Sequence, residues 1–517
     1  VYNLDIIWSK IYMKDFKKEK LILEMLAEIY IFALIIIFPL IVDSSGFFHI
    51  FECKWYSFLV ISLTYAVANI FTILYYLVFK KTNILENIKL NIIQWSAITF
   101  LLINVISCFI SPFFKKYNLF IGVGRGEGLI TTSIYVITFL LVSLFGKFKK
   151  RHILYFAISS ILLNVIAILQ YIGFNPFNMY QLGIGTHNVS FMSTIGNIDF
   201  ISALYCILLS ISFGAYIFLD DLKLYEKIIY ILSIAMGFFI IGIINVQSGK
   251  LAFIITLIII LPFIITNNKR LSKFLIVLSS VLFSYCFNMI INPEYHYSIG
   301  KLKFVFQFNY IIILYFIVIA LLIFVSRILK KYDYDFSSNK KLIKWFYILI
   351  LFFIICSLIF VYLYNFNDGF LYEIHELLHG NFDDNFGSYR IFLWKRTLKI
   401  IPEYPILGSG PDTFAVRFMR RYTQDVAKIG PLTINDTAAN VYLTMLVNIG
   451  FLGLISYITF IFAQIRKGIE EMNSYSKILL ISIICFLIQD FFNLWLVIVT
   501  PIFWLLMAIH YISLKNK

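Results

Sequence analysis

The sequence predicts an all-α polytopic membrane protein, and three observations lead there. The chain is 61% hydrophobic and only 14% charged, with a mean hydropathy of +0.88, outside the range of soluble domains. Apolar runs of about 17 to 24 residues recur along it, each long enough to cross a hydrocarbon core of about 30 Å as a helix. These runs do not alternate polar and apolar residues, as the strands of a closed β-barrel would.

Taken in order, the runs centre near Leu34, Thr64, Leu101, Val136, Leu162, Leu209, Met236, Ile258, Val281, Ile317 and Phe353. After one long polar stretch they resume near Ile455, Leu487 and Leu505. The last two share a stretch broken at Gln489, Asp490 and Asn493, so about 12 to 14 spanning helices are expected. The organisation is then residues 1–364 as transmembrane helices behind a basic N-terminus, 365–440 as an extracytoplasmic loop with amphipathic helices, and 441–517 as the C-terminal helices.

Charge supplies the orientation. Most of the 43 Lys and Arg fall in Lys10 to Lys20, Lys80 to Lys89, Lys147 to Arg151, Lys223 to Lys227, Lys269 to Lys273, Arg327 to Lys344, Arg466 to Lys477 and the C-terminal tail. These are alternate connections, and basic residues collect on the cytoplasmic side. The N-terminus is therefore expected in the cytoplasm and the long polar loop outside. The net charge of +15 is accounted for by topology, because the outer loop is nearly neutral; no nucleic-acid partner is expected. The six cysteines include no CxxC pair, which argues against a disulfide framework or a cysteine zinc site. No small-residue cleavage site follows the first apolar run, so that run is expected to be retained as a helix.

The polar loop holds two competing signatures. His375-Glu376-Leu377-Leu378-His379 matches HExxH, in which two histidines on one helix face ligate zinc and the glutamate activates its water. No third ligand helix follows it, and its plainer reading is an amphipathic turn with Leu371, Ile374, Leu377 and Leu378 facing lipid. No metal site is expected. In the second signature, Ile391, Trp394, Leu398 and Ile401 form a helical stripe that Ser388 would cap and Pro402 would end. Arg390, Arg396 and Lys399 lie on the other face. Next, Gly408-Ser409-Gly410-Pro411 forms a tight turn with Pro411 opening a new helix. Its free amides would attract a phosphate, or the turn is purely structural.

These pieces, in this order, resemble the bacterial O-antigen ligase and polysaccharide polymerase superfamily. The resemblance is carried by Ser388-x-Arg390 with Trp394, by Pro405 to Gly410 with Phe414, and by Asn440-x-Tyr442-Leu443 followed by Gly450-Phe451-Leu452-Gly453. Upstream, Arg125-Gly126-Glu127-Gly128-Leu129, Ser193-Thr194-Ile195-Gly196-Asn197 and Gln247-Ser248-Gly249-Lys250 look like weaker landmarks of the same family. The resemblance implies a GT-C-type membrane glycosyltransferase, inverting and metal-independent, needing no cofactor. It would move an oligosaccharide from an undecaprenyl-pyrophosphate carrier to the hydroxyl of a glycan, lipid or protein acceptor, as polymerase or ligase, at the outer face of the bacterial cytoplasmic membrane and in contact with its lipid.

The resemblance also implies roles. Arg390, Lys250 and Asn440 are the expected catalytic residues, and Arg390, Lys250, Arg125, Gly408 and Gly410 the expected pyrophosphate contacts, although Arg125 could equally do no more than pair with Glu127. The chain departs from the family twice. Lys250 stands where an arginine is expected and lacks its bidentate fork, and Ala439 stands where a histidine is expected. Either the chain is an altered or inactive variant, or that histidine is dispensable, or another base serves, from His187, His375, His379, Glu127 and Asp436. Two other classes compete: a polysaccharide flippase or other transporter, expected to show repeat symmetry and mid-membrane ionisable residues, and a zinc metalloprotease built on His375, Glu376 and His379.

Overall fold

A computed structural model describes residues 21–81, 86, 88–172, 174–179, 193–296, 301–306, 310–429 and 436–515. The first nine helices are α1 Leu21–Leu40, α2 Ile50–Phe79, α3 Ile92–Ile110, α4 Leu129–Phe145, α5 Arg151–Tyr171, α6 Ile198–Phe218, α7 Leu224–Ile244, α8 Gln247–Ile265 and α9 Asn268–Ile290. α10 Tyr310–Leu329 and α11 Lys340–Leu363 follow, then the short helices α12 Gly369–Leu378, α13 Phe386–Ile400 and α14 Phe414–Ile429. α15 Val441–Glu470, α16 Ser474–Asp490 and α17 Thr500–Leu514 complete the bundle. Eleven of the described helices are long and apolar enough to cross a membrane, while α4 and α17 are shorter apolar helices. The expected all-α polytopic architecture holds, with one addition. The hairpin β1 Ile291–His296 and β2 Lys301–Phe306 pairs antiparallel, Ile291 opposite Phe306, and is the only sheet among the described residues.

Burial separates the centre from the rim. In α6, 94% of the best spanning window is buried, against 6% in α11. α6 is therefore enclosed by protein, packing on α5, α7, α8 and α16, whereas α11 presents its apolar surface outward, as a lipid-facing helix does. Trp504 of α17 stacks on Phe460 at 5.2 Å, Phe100 at 5.9 Å and Tyr135 at 6.1 Å. That aromatic layer joins α3, α4, α15 and α17 through contacts beyond their buried area.

α15 is broken at Gly450, whose φ of 67° and ψ of −171° lie where only glycine is comfortable. A break strands carbonyls on one side and amides on the other, and each unpaired backbone group in a membrane interior costs several kcal/mol. The turn at 405–410 fills that gap. Ser409 N donates to Val447 O at 3.0 Å and Gly410 N to Asn448 O at 2.8 Å. In return Phe451 N donates to Pro405 O at 2.8 Å and Leu452 N to Ile406 O at 3.1 Å. α3 locks the arrangement, with Ser107 Oγ donating to Leu407 O at 2.6 Å and Ser111 Oγ donating to Ser409 O.

The polar loop packs onto this joint. Phe392, Leu393, Ile400, Phe414, Phe418 and Val426 form a small core that includes Leu446 and Val447 of α15. Three expectations are corrected here. Ser388 does not cap a helix: Gly387, Ser388 and Tyr389 are all left-handed, with φ of 61°, 55° and 65°. The buried face of α13 is Phe392, Leu393, Thr397 and Ile400 rather than the stripe through Leu398, which is exposed, because α14 covers that side. α14 starts at Phe414, three residues after Pro411, because Asp412 is left-handed with φ 56° and interrupts the helical path.

Gly450→Ala would place a Cβ against Ile406 O and Gly408 N and force a forbidden backbone angle. We expect it to destabilise the detergent-solubilised protein by more than about 3 kcal/mol, read as loss of the folded peak in size-exclusion chromatography or a lowered thermal midpoint. Gly369→Ala, with φ 79° but nothing within 4 Å, is expected to cost about 1 kcal/mol.

Candidate active site at one end of the helical bundle

Among the charged residues singled out by the sequence, Arg390, Arg125, Glu127 and Asp436 lie toward the end of the bundle where α6 begins. Asn197 caps α6 by accepting from Asp199 N at 2.8 Å, and Asn493 Nδ2 donates to Asp199 O at 3.2 Å. Arg390 is largely buried, and burial lowers its pKa while the charge of Asp199 raises it; it stays charged, as guanidinium does in proteins. Arg390 Nε donates to Phe492 O at 3.1 Å and Nη1 to Gly387 O at 2.8 Å. The left-handed run at Gly387 to Tyr389 turns the Gly387 carbonyl back toward this side chain. Both partners are neutral, and among the described residues Arg390 makes no ion pair. A part-buried guanidinium that faces Asp199 without pairing with it, and with the Nη2 side of its fork unused, can bind an anion bidentately.

Next to Asp199, Phe200 lies under the Arg125 guanidinium, 6.0 Å from its carbon. Arg125 Nε pairs with Asp436 at 2.5 Å, not with Glu127. The loop carrying Arg125 is held by Asp412, whose Oδ2 accepts from Gly124 N at 3.0 Å and Arg125 N at 2.9 Å. Glu127 Oε1 accepts from Tyr135 Oη at 3.0 Å, and its Oε2 is enclosed without a partner. Glu127, Arg125 and Asp412 line a cavity of about 60 Å3 with Asn104, Thr444 and Asn448. Burial pushes the Glu127 carboxyl up to about 8; the Tyr135 hydrogen bond pulls it down and the Asp412 charge adds to the rise. Burial likewise pushes Asp412 up to about 6, against its backbone hydrogen bonds.

The remaining expected residues are placed differently. Asn440 Oδ1 accepts from Leu443 N at 3.0 Å and caps α15, so only its amide nitrogen is left for substrate. The glycine turn is no phosphate cradle: Gly408 N donates to Tyr404 O, Ser409 N to Val447 O and Gly410 N to Asn448 O, so all three amides are spent on the protein. Lys250 does not touch Arg390. Its Nζ donates to Asn245 Oδ1, and it stands at one end of a separate apolar cavity of about 240 Å3 whose walls include Phe213, Phe238, Phe253, Leu257 and Tyr285. Ala439 is left-handed, with φ 47°.

Of the other candidate bases, His187 lies outside the described residues. His375 Nδ1 lies 2.8 Å from Val361 O, and His379 Nδ1 lies 2.8 Å from His375 O. His379 also stacks on Tyr362 at 4.2 Å, so both rings serve the packing of α12 against α11. No group of three His, Cys, Asp or Glu able to hold a metal occurs among the described residues. Sequence reasoning gave no site role to Asp199, Asp412, Tyr135 or Asn448. No spacing rule links them; the one local signal is Asp412, which follows the glycine turn directly.

Two buried carboxyls with raised pKa set a pH dependence. In the folded protein Glu127 keeps its proton up to about 8 rather than 4.5, and Asp412 up to about 6 rather than 3.8. The folded state then binds more protons than the unfolded state between those values, so stability is greatest in acid and falls as pH rises through them. We expect the thermal midpoint of the purified protein to decline from pH 5 to 8, and Glu127→Gln to flatten the upper half of that decline, measured by a thermal melt across buffers.

Residues 310–458 match the family model described as O-Antigen ligase, a stretch that contains Arg390, the glycine turn, Asn440 and the break at Gly450. No curated protein matches the chain. The chain is a multi-pass membrane protein whose segment 310–458 is similar to the O-antigen ligase family.

Proposed function

We propose that the protein is a membrane glycosyltransferase that moves or polymerises an oligosaccharide from a polyprenyl-pyrophosphate carrier onto an acceptor hydroxyl, as a surface polysaccharide ligase or polymerase. The observation that carries this reading is Arg390, inside the matched segment, a part-buried guanidinium hydrogen-bonded only to neutral carbonyls. Breaking the bond from sugar to pyrophosphate leaves negative charge on the departing oxygen, and a prearranged cation in a desolvated place stabilises it most. The acceptor oxygen attacks the anomeric carbon in line with the leaving pyrophosphate, which inverts that centre. Arg125, tied to Asp436, is a second cation at the same end. This end faces out of the cytoplasm by the distribution of basic residues, on the side where the polar loop lies.

The cavity beside Lys250 supports a lipid-linked donor. It runs along α8 from Lys250 to Ile260, roughly 15 Å at the helical rise. Its walls are almost entirely apolar, so it suits a hydrocarbon chain whose anionic head lies toward the lysine end.

Cells lacking the protein are expected to accumulate polyprenyl-linked oligosaccharide of single-repeat size, seen by mass spectrometry of extracted lipids; unchanged pools would refute the transferase reading. Arg390→Ala should lower transfer by at least about 100-fold in a complementation assay. Arg390→Lys should recover little of it, because an ammonium group cannot reproduce the fork.

A further inference from the structure

Glu127 has a use that its packing does not explain. Its Oε1 is fixed by Tyr135, yet its Oε2 is enclosed and meets no donor. On α15, Asn448 Oδ1 is likewise enclosed without a partner. Both residues line the same cavity of about 60 Å3. A buried acceptor left without a donor costs about 1–3 kcal/mol, and two of them beside one cavity call for an occupant that brings O–H groups. The space is large enough to admit water or an acceptor hydroxyl beside these oxygens. Arg125, whose side chain is 32% exposed, stands where the cavity meets the surface.

The cavity is joined to the arginine site on two sides. Arg125 lies over Phe200, and the neighbouring Asp199 faces Arg390. Trp394 Nε1, one helical turn from Arg390, donates to Ala438 O at 3.1 Å, and the adjacent Thr437 lines the cavity. A hydroxyl held at Glu127 and a pyrophosphate held at Arg390 would thus be borne by the same pair of segments.

We propose that Glu127 is the base of the transfer reaction, receiving the acceptor sugar's hydroxyl in this cavity; the proposal rests on the transferase reading. The carboxylate takes the hydroxyl proton, and the O–H bonding pair remains on the acceptor oxygen. That oxygen bonds to the anomeric carbon, whose bond to the pyrophosphate oxygen breaks, its electron pair leaving with the pyrophosphate beside Arg390. The proton then passes from Glu127 to solvent at the Arg125 and Asp436 end. Tyr135 holds the carboxyl in place from α4, and the other charged groups around it are Arg125 on its own loop, Asp412 from the turn before α14 and Asp436 from the segment before α15. α3 and α15 contribute the neutral Asn104, Thr444 and Asn448, and the α16–α17 connection contributes Trp495. A carboxyl that ionises near pH 8 is a stronger base than an ordinary one and still partly ionised at neutral pH.

The test uses the full chain in lipid nanodiscs, with lipid-linked oligosaccharide from cells lacking the protein as donor and their envelope fraction as acceptor. The wild-type rate should rise with pH and level off near pH 8. Glu127→Gln should lower it by roughly 10²–10⁴-fold while the purified protein retains as much donor lipid as wild type. Glu127→Ala with added formate should regain part of the rate without the alkaline rise, because formate is ionised throughout that range. Transfer by Glu127→Gln at the wild-type rate, with Arg390→Ala inactive, overturns the base assignment and leaves the transferase reading standing. Loss of donor retention together with rate in Glu127→Gln overturns it in favour of a structural role. No transfer by the wild-type protein at any pH overturns both.

Discussion

The exchange of backbone hydrogen bonds between the turn at 405–410 and the broken helix α15 is the constraint on which the functional end depends. Breaking a helix costs its stranded carbonyls and amides, and those costs are large where water is scarce. Here the turn supplies two amides to Val447 and Asn448 and two carbonyls to Phe451 and Leu452. The gain from four satisfied groups outweighs the roughly 0.5–1 kcal/mol that a glycine at position 450 costs a helix. Because the turn is anchored to a spanning helix and to Ser107 and Ser111 of α3, what hangs from it is fixed in depth. Asp412 follows two residues after Gly410, reaches the amides of Gly124 and Arg125, and so sets the loop that carries Glu127.

The electrostatics at this end divide into paired and unpaired charge. Arg396 is held by Asp384 and Asp425 and lies 3.6 Å over Phe392, and Arg417 and Arg421 share Glu403. These pairs brace the polar loop, and Arg396 therefore does not serve as a surface lysine-like anchor in lipid. Arg390 is different in kind, because its partners are carbonyls. Carbonyl oxygens orient a guanidinium without cancelling its charge, and the carboxylate that acts on it, Asp199, forms no ion pair with it.

Length and composition made the membrane body legible, because crossing a bilayer demands a run of apolar residues that any reader can count. Arg390 was legible through the ordered landmarks around it, Ser388-x-Arg390 with Trp394 ahead of the glycine turn, which set it apart from Arg396 on the same helix. The choice between a phosphate site and a structural turn at Gly408 to Gly410 was open because sequence reveals amides but not the carbonyls opposite them, and those facing Ser409 and Gly410 belong to residues 38 positions away. Ser388 failed as a cap because Gly387, Ser388 and Tyr389 are left-handed in succession, a path that presents the Gly387 carbonyl to Arg390 and that local preference does not announce. Glu127 and Asp436 were indistinguishable as candidate bases along the chain. In space one is paired with Arg125 and the other keeps a free oxygen, a difference set by contacts across some 300 residues.

The carbonyl of Phe492 that orients Arg390 lies in the connection between α16 and α17, some hundred residues further along. During synthesis, then, the polar loop and its arginine leave the ribosome well before the segment that aims them. A nascent chain stopped after α15 carries every side chain of the matched segment without the α16–α17 connection that holds Arg390 and adds Trp495 to the cavity wall. On the proposed transferase function, competence would thus arrive only with the insertion of α16 and α17, and a chain stopped before them would lack the carbonyl that aims Arg390.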